Sequence, residues 1–289
     1  MPTPREIRRR IRSVRNMAQV TRAMEMVAAS KMRRAQQQVL ATRPYAERIR
    51  AMTGDLATMT AFEDRNQFPL LIQRPIQRSE VILVTSDRGL AGALNTNVIR
   101  RTVHFMQEER AESPGDIDIV AVGRKGRDFF TRLGRRPSAS FVNIGDRPTL
   151  DSIRPIVQIA IDDFTSGKVD AVFLGYTQFI NTLRQVPQVV QILPITAPPG
   201  AGEVTDYIFE PSPAAVLEAL LPRFVEVEIY QAVLEAIASE QSARMVAMRN
   251  ATDNAREIVS DLTMTYNKVR QAQITREVSE ISAGAAALG

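Results

Sequence analysis

Cysteine is absent from this chain of 289 residues. That absence removes disulfides, thiol nucleophiles and thiolate metal sites together, and it fits a cytosolic setting. Histidine occurs once, at His104, so no histidine metal cluster can form. Without a serine motif or a cysteine it has no nucleophile to activate, and it reads as a plain surface or core residue of a helix. No run approaches the roughly 20 apolar residues that cross a bilayer, and the opening MPTPREIRRRIRSVR has no apolar core like that of a secretory signal. The expected location is the cytoplasm or the cytoplasmic face of a membrane. A local shortage is the most informative. Residues 5–43 and 223–283 contain neither glycine nor proline, while 12 of the 14 glycines and 14 of the 16 prolines fall within 44–222. Helix breakers confined to the middle predict a helix, a compact globule and a longer helix.

The C-terminal rod has a period as well as a length. Leu220, Phe224, Val227, Gln231, Leu234, Ala238, Gln241, Met245, Met248, Thr252, Ala255, Val259, Leu262, Tyr266, Val269 and Gln273 alternate by four and three, and 12 of these 16 positions are apolar. A repeat averaging 3.5 residues drifts around a straight helix, so it stays buried against a partner only in a left-handed supercoil. The N-terminal rod carries a shorter version at Ile7, Ile11, Val14, Ala18, Thr21, Glu25, Ala28, Met32, Ala35 and Val39. Because the chain leaves by one rod and returns by the other, the two are expected to pair as an antiparallel two-helix coiled coil. At about 1.5 Å per residue, the 61 uninterrupted C-terminal residues span roughly 90 Å, so the rod is expected to project from the globule.

Charge is unevenly spread. Residues 1–50 hold 13 Lys and Arg against three acids, Glu6, Glu25 and Glu47, which leaves the remainder net acidic despite a total of +5. Three readings stand: an arm for nucleic acid, a solvated helix face, or a surface complementary to acidic proteins. The first aromatic is Tyr45, so the basic stretch offers nothing on which bases could stack.

The middle alternates strand and helix. Short apolar runs at 81–86, 116–123, 169–176 and 187–195, with a weak one at 139–144, are separated by helical stretches at about 94–110, 124–133 and 149–165. This predicts an α/β globular domain with a mainly parallel, Rossmann-like sheet covered on both faces, its last two strands antiparallel. The working division is 1–60 for the first coiled-coil helix, 75–200 for the globule and 212–289 for the second helix. Ser212 and Pro213 read as a helix cap and first turn, and Pro222 is expected to kink or delay the rod.

The turn SDRGLAGALNTN, 86–97, follows a strand and precedes a helix, as phosphate-binding loops do. Gly89 and Gly92 do not make the three-glycine dinucleotide fingerprint, and no lysine followed by serine or threonine completes a P-loop. The GRKGRD stretch at 123–128 fails the same test. Both turns read as structural. The adjacent acids Glu108 with Glu109 and Asp162 with Asp163 diverge on helices and read as solvated. On the first rod, Met17, Val20, Met24 and Val27 form a second apolar stripe beside the seam, and nine of the 13 residues in 17–29 are apolar. That surplus implies insertion into a partner, or else a thicker core against the globule.

Four segments in this order, TRAMEMVAASKMRRAQ (21–36), TSDRGLAGALNTN (85–97), ASEQSARMVAMRNATDNA (238–255) and YNKVRQAQITREVSEISAGAAAL (266–288), make the chain similar over essentially its whole length to the γ subunits of F-type ATP synthase. The resemblance is to the bacterial type, with no room for the regulatory dithiol insertion of chloroplast relatives; Ala91 stands where many relatives have cysteine. It implies a non-catalytic rotor of a proton-translocating complex: a coiled coil inside a hexamer of alternating α and β subunits, and a globule that meets the ε subunit and the c-ring, with no cofactor, no nucleic acid and no membrane span of its own. By the same resemblance, Ala23, Met24, Glu25, Met26 and Lys31 lie where the first rod meets the β subunits. Arg270, Gln271, Thr275 and Glu277 match the C-terminal contact region, and Tyr207 faces the c-ring. Asp87, Arg88, Gly89, Gly92 and Asn95 belong to a structural signature of the globule. A nucleic-acid-binding coiled coil and a nucleotide-using α/β enzyme are the competing classes.

Overall fold

A computed structural model of the chain describes residues 3–59, 67–112, 115–196 and 210–288. The chain resolves into two compact units, one of residues 1–28 and 244–289 and one of residues 29–243. Two long helices bracket it in sequence, α1 (Pro4–Met59) and α5 (Pro213–Leu288), and each contributes to both units.

In the larger unit, β1 (Ser79–Val84), α2 (Leu94–Glu112), β2 (Ile117–Val122), α3 (Arg124–Arg132), β3 (Ala139–Phe141), α4 (Leu150–Thr165), β4 (Ala171–Phe179) and β5 (Gln185–Leu193) follow in turn. The sheet order is β3-β2-β1-β4-β5. β1 runs parallel to both β2 and β4, with Val81 opposite Ile119 and Phe173, and β5 returns antiparallel to β4. A parallel sheet is buried on both faces, so alternate residues of each strand feed different cores. Val81, Leu83, Ile117, Ile119 and Phe173 pack with Val98, Ile99 and Met106 of α2 and Phe130 of α3. Ile82, Val84, Val120, Val172 and Leu174 pack with Ile153, Ile156 and Phe164 of α4, Val39 and Ile49 of α1, and Leu221, Val225 and Ile229 of α5.

The strand and helix ranges expected between 81 and 195 agree with the structure within a few residues, and the long helices show two instructive differences. The seam of α1 does not stop at Val39: it continues through Thr42, Ala46 and Ile49 to Thr53, the last three buried, and passes Pro44 without leaving the helix. Pro222 likewise sits inside α5, which begins at Pro213 with Ser212 Oγ accepting the Ala215 N–H. Proline costs a helix one backbone bond and crowds the preceding turn. Both prolines are exposed, and the apolar neighbours on the buried faces, Ala46 and Ile49 or Leu221 and Phe224, carry the helix across.

Candidate partner interface

The smaller unit is an antiparallel helix pair. Arg8 Nη2 donates to the Tyr266 hydroxyl, Thr21 Oγ1 lies 2.7 Å from Thr252 Oγ1, and Arg249 Nε is 3.7 Å from Glu25, so numbers rise on one helix as they fall on the other. Ile7, Ile11, Thr21, Glu25 and Ala28 are buried with Met248, Thr252 and Ala255. The threonine pair is a polar layer in an apolar seam. Thr252 Oγ1 donates to the Met248 carbonyl, which leaves its lone pairs for Thr21, so neither hydroxyl is stranded. Glu25 is held between Arg22 at 3.0 Å and Arg249; a buried carboxylate at a seam position needs such partners. Tyr266 lies between the guanidinium groups of Arg8 and Arg270, 5.3 and 5.9 Å from its ring centre.

The pair leaves much apolar surface uncovered. Met17, Val20 and Val27, one position behind the seam, are 59%, 57% and 56% exposed, and Met26 on the opposite flank is 58% exposed. Among the sequence candidates, Ala23 and Met26 are exposed and Met24 is half-buried, whereas Glu25 points inward. Exposed arginines Arg5, Arg9, Arg12 and Arg15 line another face of α1. By the register of the pair, the first turn of α1 stands opposite residues near 270, and α5 then runs on as a single helix. Gln273, counted in the seam from its spacing, is consequently exposed, as are Arg270, Gln271, Thr275 and Glu277 and the apolar Ile274, Val278 and Ile281.

In the larger unit, Lys31 Nζ is 2.6 Å from Asp146, whose other oxygen accepts from Gln241 Nε2 at 3.1 Å. Asp146 thus ties α1 to α5, and Lys31 serves an internal contact. The turn after β1 is a hydrogen-bonded knot. Asn95 Oδ1 accepts the Ser86 N–H, Asn95 Nδ2 donates to Ser86 Oγ, and Ser86 Oγ donates to the Arg88 carbonyl. Gly92 has φ of +57°, in the left-handed region. Gly89 has no such need, since an added Cβ would meet only Lys125 at ordinary contact distance. Helix α3 has no side-chain N-cap of its own. Asp87 supplies one from a distance: Oδ1 accepts the Arg124 N–H at 3.0 Å and Oδ2 the Asn143 N–H at 2.8 Å.

This knot lies where an open α/β sheet binds ligands, at the carboxyl end of β1, where the strand order reverses. Here the crevice is filled by the chain itself. Val233, Ala236, Ile237 and Glu240 of α5 close over Thr85, Ser86, Asp87, Gly123 and Thr177, leaving a space of about 50 Å³. A helix N-terminus that would attract a phosphate already holds the Asp87 carboxylate.

Sequence reasoning missed the polar side chains that seat α5 on the sheet. Glu235, Ser239 and Ser242 are buried. Glu235 accepts the Phe179 N–H, Ser239 Oγ donates to the Thr177 carbonyl, and Ser242 Oγ donates to the Thr182 carbonyl. Their signal was present, as polar residues embedded in an otherwise apolar stretch of helix. Tyr207 lies outside the described residues. Among the described residues no helix is long and apolar enough to cross a membrane, and no group of three or more His, Asp or Glu could hold a metal ion. His104 is a surface residue paired with Glu108.

Comparison with known proteins gives a consistent picture. The ATP synthase family pattern matches residues 3–288. The ATP synthase gamma chain of Roseiflexus castenholzii is 55% identical over 290 residues, covering 100% of this chain and 99% of the relative. That of Chloroflexus aurantiacus is 52% identical over 289 residues, with the same coverage. A chain of the central stalk and c-ring of Tetrahymena thermophila mitochondrial ATP synthase is similar in structure, with a TM-score of 0.61 and 26% identity over 80% of this chain and 99% of that one. A chain of the Euglena gracilis mitochondrial ATP synthase gives a TM-score of 0.69 at 21% identity, over 99% and 94%, and shares the fold.

Proposed function

The chain belongs to the ATP synthase gamma-chain family, and from that premise we propose that it is the central stalk of an F-type ATP synthase, coupling ion-driven c-ring rotation to the cycling of the catalytic β subunits. The observation that carries this reading is the uncovered apolar flank of the helix pair. Met17, Val20 and Val27 are each more than half exposed, and a patch of that kind marks a binding surface. A hexameric sleeve of α and β subunits would cover it, with the ε subunit and the c-ring meeting the larger unit. An antiparallel pair with an apolar flank and an arginine face is asymmetric. Turned inside a threefold sleeve, it contacts each β subunit differently, and a difference of about 1.4 kcal/mol changes an affinity tenfold.

In this role the chain is a non-catalytic subunit. What supports that is the α5 plug and the Asp87 cap, which occupy the crevice where a doubly wound fold would take a nucleotide. Its place is peripheral, on the cytoplasmic face of a bacterial plasma membrane. Ala23, Met24 and Met26 are proposed to touch the β subunits directly, and Glu25 to act through Arg22 and Arg249. Arg270, Gln271, Thr275 and Glu277 lie on the stretch of α5 that has no helical partner among the described residues, and are proposed to meet the α and β subunits. The proposed division of labour is coiled coil at 1–60 and 212–289 and partner-binding globule at 75–200.

The test is the double variant Met17→Asp/Val20→Asp, expressed with the other subunits. Each wild-type side chain contributes about 1 kcal/mol when its exposed part is covered, and a carboxylate in an apolar sleeve costs about 2 kcal/mol more. Co-purification of α and β with the variant is expected to fall more than a hundredfold while its circular dichroism is unchanged. Full assembly with wild-type coupling of ATP hydrolysis to proton pumping would overturn the reading, as would ATP turnover by the purified chain alone.

A further inference from the structure

Helices α2 and α3 bound an open groove of about 490 Å³ on the outer face of the larger unit. Its α2 wall is a row at four-residue spacing, Asn95 and Thr96, Ile99 and Arg100, Val103 and His104, then Gln107, and its α3 wall is Lys125, Phe129 and Arg132. Rows at this spacing are the ridges between which a further helix packs. From Asn95 to Gln107 the row runs roughly 18 Å, about three helical turns. The floor is apolar, with Ile99 buried and Val103 and Phe129 half-buried. The rim is cationic: Arg100, Lys125 and Arg132 are exposed, and no lining residue carries a carboxylate. Arg132 donates to the main-chain oxygen of Asp128. Of the acids beside it, Glu108 pairs with Arg101 and with His104 of the groove wall, and Asp128 pairs with Arg127 and lies in the field of Arg132.

We infer that the α2–α3 groove docks an acidic amphipathic helix of a partner protein. The length and ridge spacing select a helix, the apolar floor takes residues repeating at i, i+4 and i+7, and the three rim cations require acids beside them. On the proposed function this surface, in the larger unit, uses none of the residues assigned to the α and β subunits, so a partner held there turns with the stalk.

The chain has no cysteine, so Gln107→Cys accepts one environment-sensitive fluorophore at the groove wall and Gln19→Cys one on α1 as a reference. The probe is a 16-residue synthetic helix with leucines at i, i+4, i+7 and i+11 flanked by glutamates, titrated into the full-length labelled chain at low salt. A second peptide carries lysines in place of the glutamates. A saturable response is expected at the Gln107→Cys label, at least tenfold tighter for the glutamate peptide than for the lysine peptide. Arg100→Glu/Arg132→Glu is expected to reverse that preference; Lys125→Glu alone, with a threefold or greater loss, serves if the double variant does not fold. A response confined to the Gln19→Cys label, equal affinity for the two peptides, indifference to charge reversal, or a response to phosphatidylglycerol vesicles in place of the peptide would each overturn the inference.

Discussion

Glu80 is a carboxyl group inside the central strand of the sheet, and replacing it with glutamine tests the packing of the larger unit directly. It is 0% exposed, its two oxygens make no well-formed hydrogen bond among the described residues, Asp163 is its one polar neighbour close enough to share a proton, and it stands beside Asp118 on β2. Burial first, and then the charge of Asp163 on α4, push its pKa from 4.5 up to about 8, with Lys168 pulling the other way. Lys168 itself is held by Asp163, which raises its pKa in turn. At about 1.4 kcal/mol per unit, the displacement corresponds to a penalty of about 5 kcal/mol for carrying Glu80 ionised in the folded state. Below pH 4.5 the group is protonated in both folded and unfolded chains and costs nothing. Between 4.5 and 8 the unfolded chain ionises and the folded one does not, so stability falls as pH rises, and above 8 the full penalty persists. Glu80→Gln is neutral throughout and nearly isosteric. Urea unfolding of variant and wild type between pH 5 and 9, followed by tyrosine fluorescence, should show the variant gaining steadily up to about pH 8 and then holding its advantage. A difference that is flat across this range, or that grows toward acid, would refute the reasoning, because the remaining titrating groups are common to both proteins.

Two further predictions concern the turn at the end of β1. Gly123 has φ of +96°, and a Cβ there would lie 2.0 Å from the Thr85 carbonyl oxygen. Gly123→Ala should therefore cost about 3 kcal/mol or more in chemical unfolding, whereas Gly92→Ala, with the same handedness but open space around it, should cost only about 1 kcal/mol. Asp87→Ala leaves the Arg124 and Asn143 N–H groups without their acceptor and should cost about 1–2 kcal/mol; hydrogen exchange should accelerate at those two amides, and unchanged exchange would contradict the capping role.

The long helices and their pairing were legible because a 3.5-residue repeat is a local property: each turn of α1 or α5 declares its buried face regardless of what covers it. The strands of the larger unit were legible for a similar reason, as apolar runs bounded by turn formers. The continuation of the α1 seam past Pro44 was not. Proline's effect on an isolated helix is local, but the burial of Ala46, Ile49 and Thr53 that outweighs it comes from α5 and the sheet. The apolar run that marks β1 begins at Val81, so Glu80 falls outside it, and only the three-dimensional neighbourhood of Asp163 and Lys168 shows in what state the acid is tolerated.

The sequence by itself determined two apolar-seamed helices, an α/β globule between them, an excess of apolar surface on the first helix, and the absence of a recognisable nucleotide motif. All of these follow from spacing and composition along one stretch of chain. Tertiary structure alone decided that Asp87 caps a helix beginning 37 residues later, that α5 plugs the crevice at the end of β1, that Glu25 turns inward and Lys31 pairs with Asp146 while Met17, Val20 and Val27 stay uncovered, and that α2 and α3 bound a cationic groove. Each depends on which distant segments are brought within hydrogen-bond or contact range, and hydrogen bonds, burial and field strength act over ångströms in space, whatever the separation along the chain.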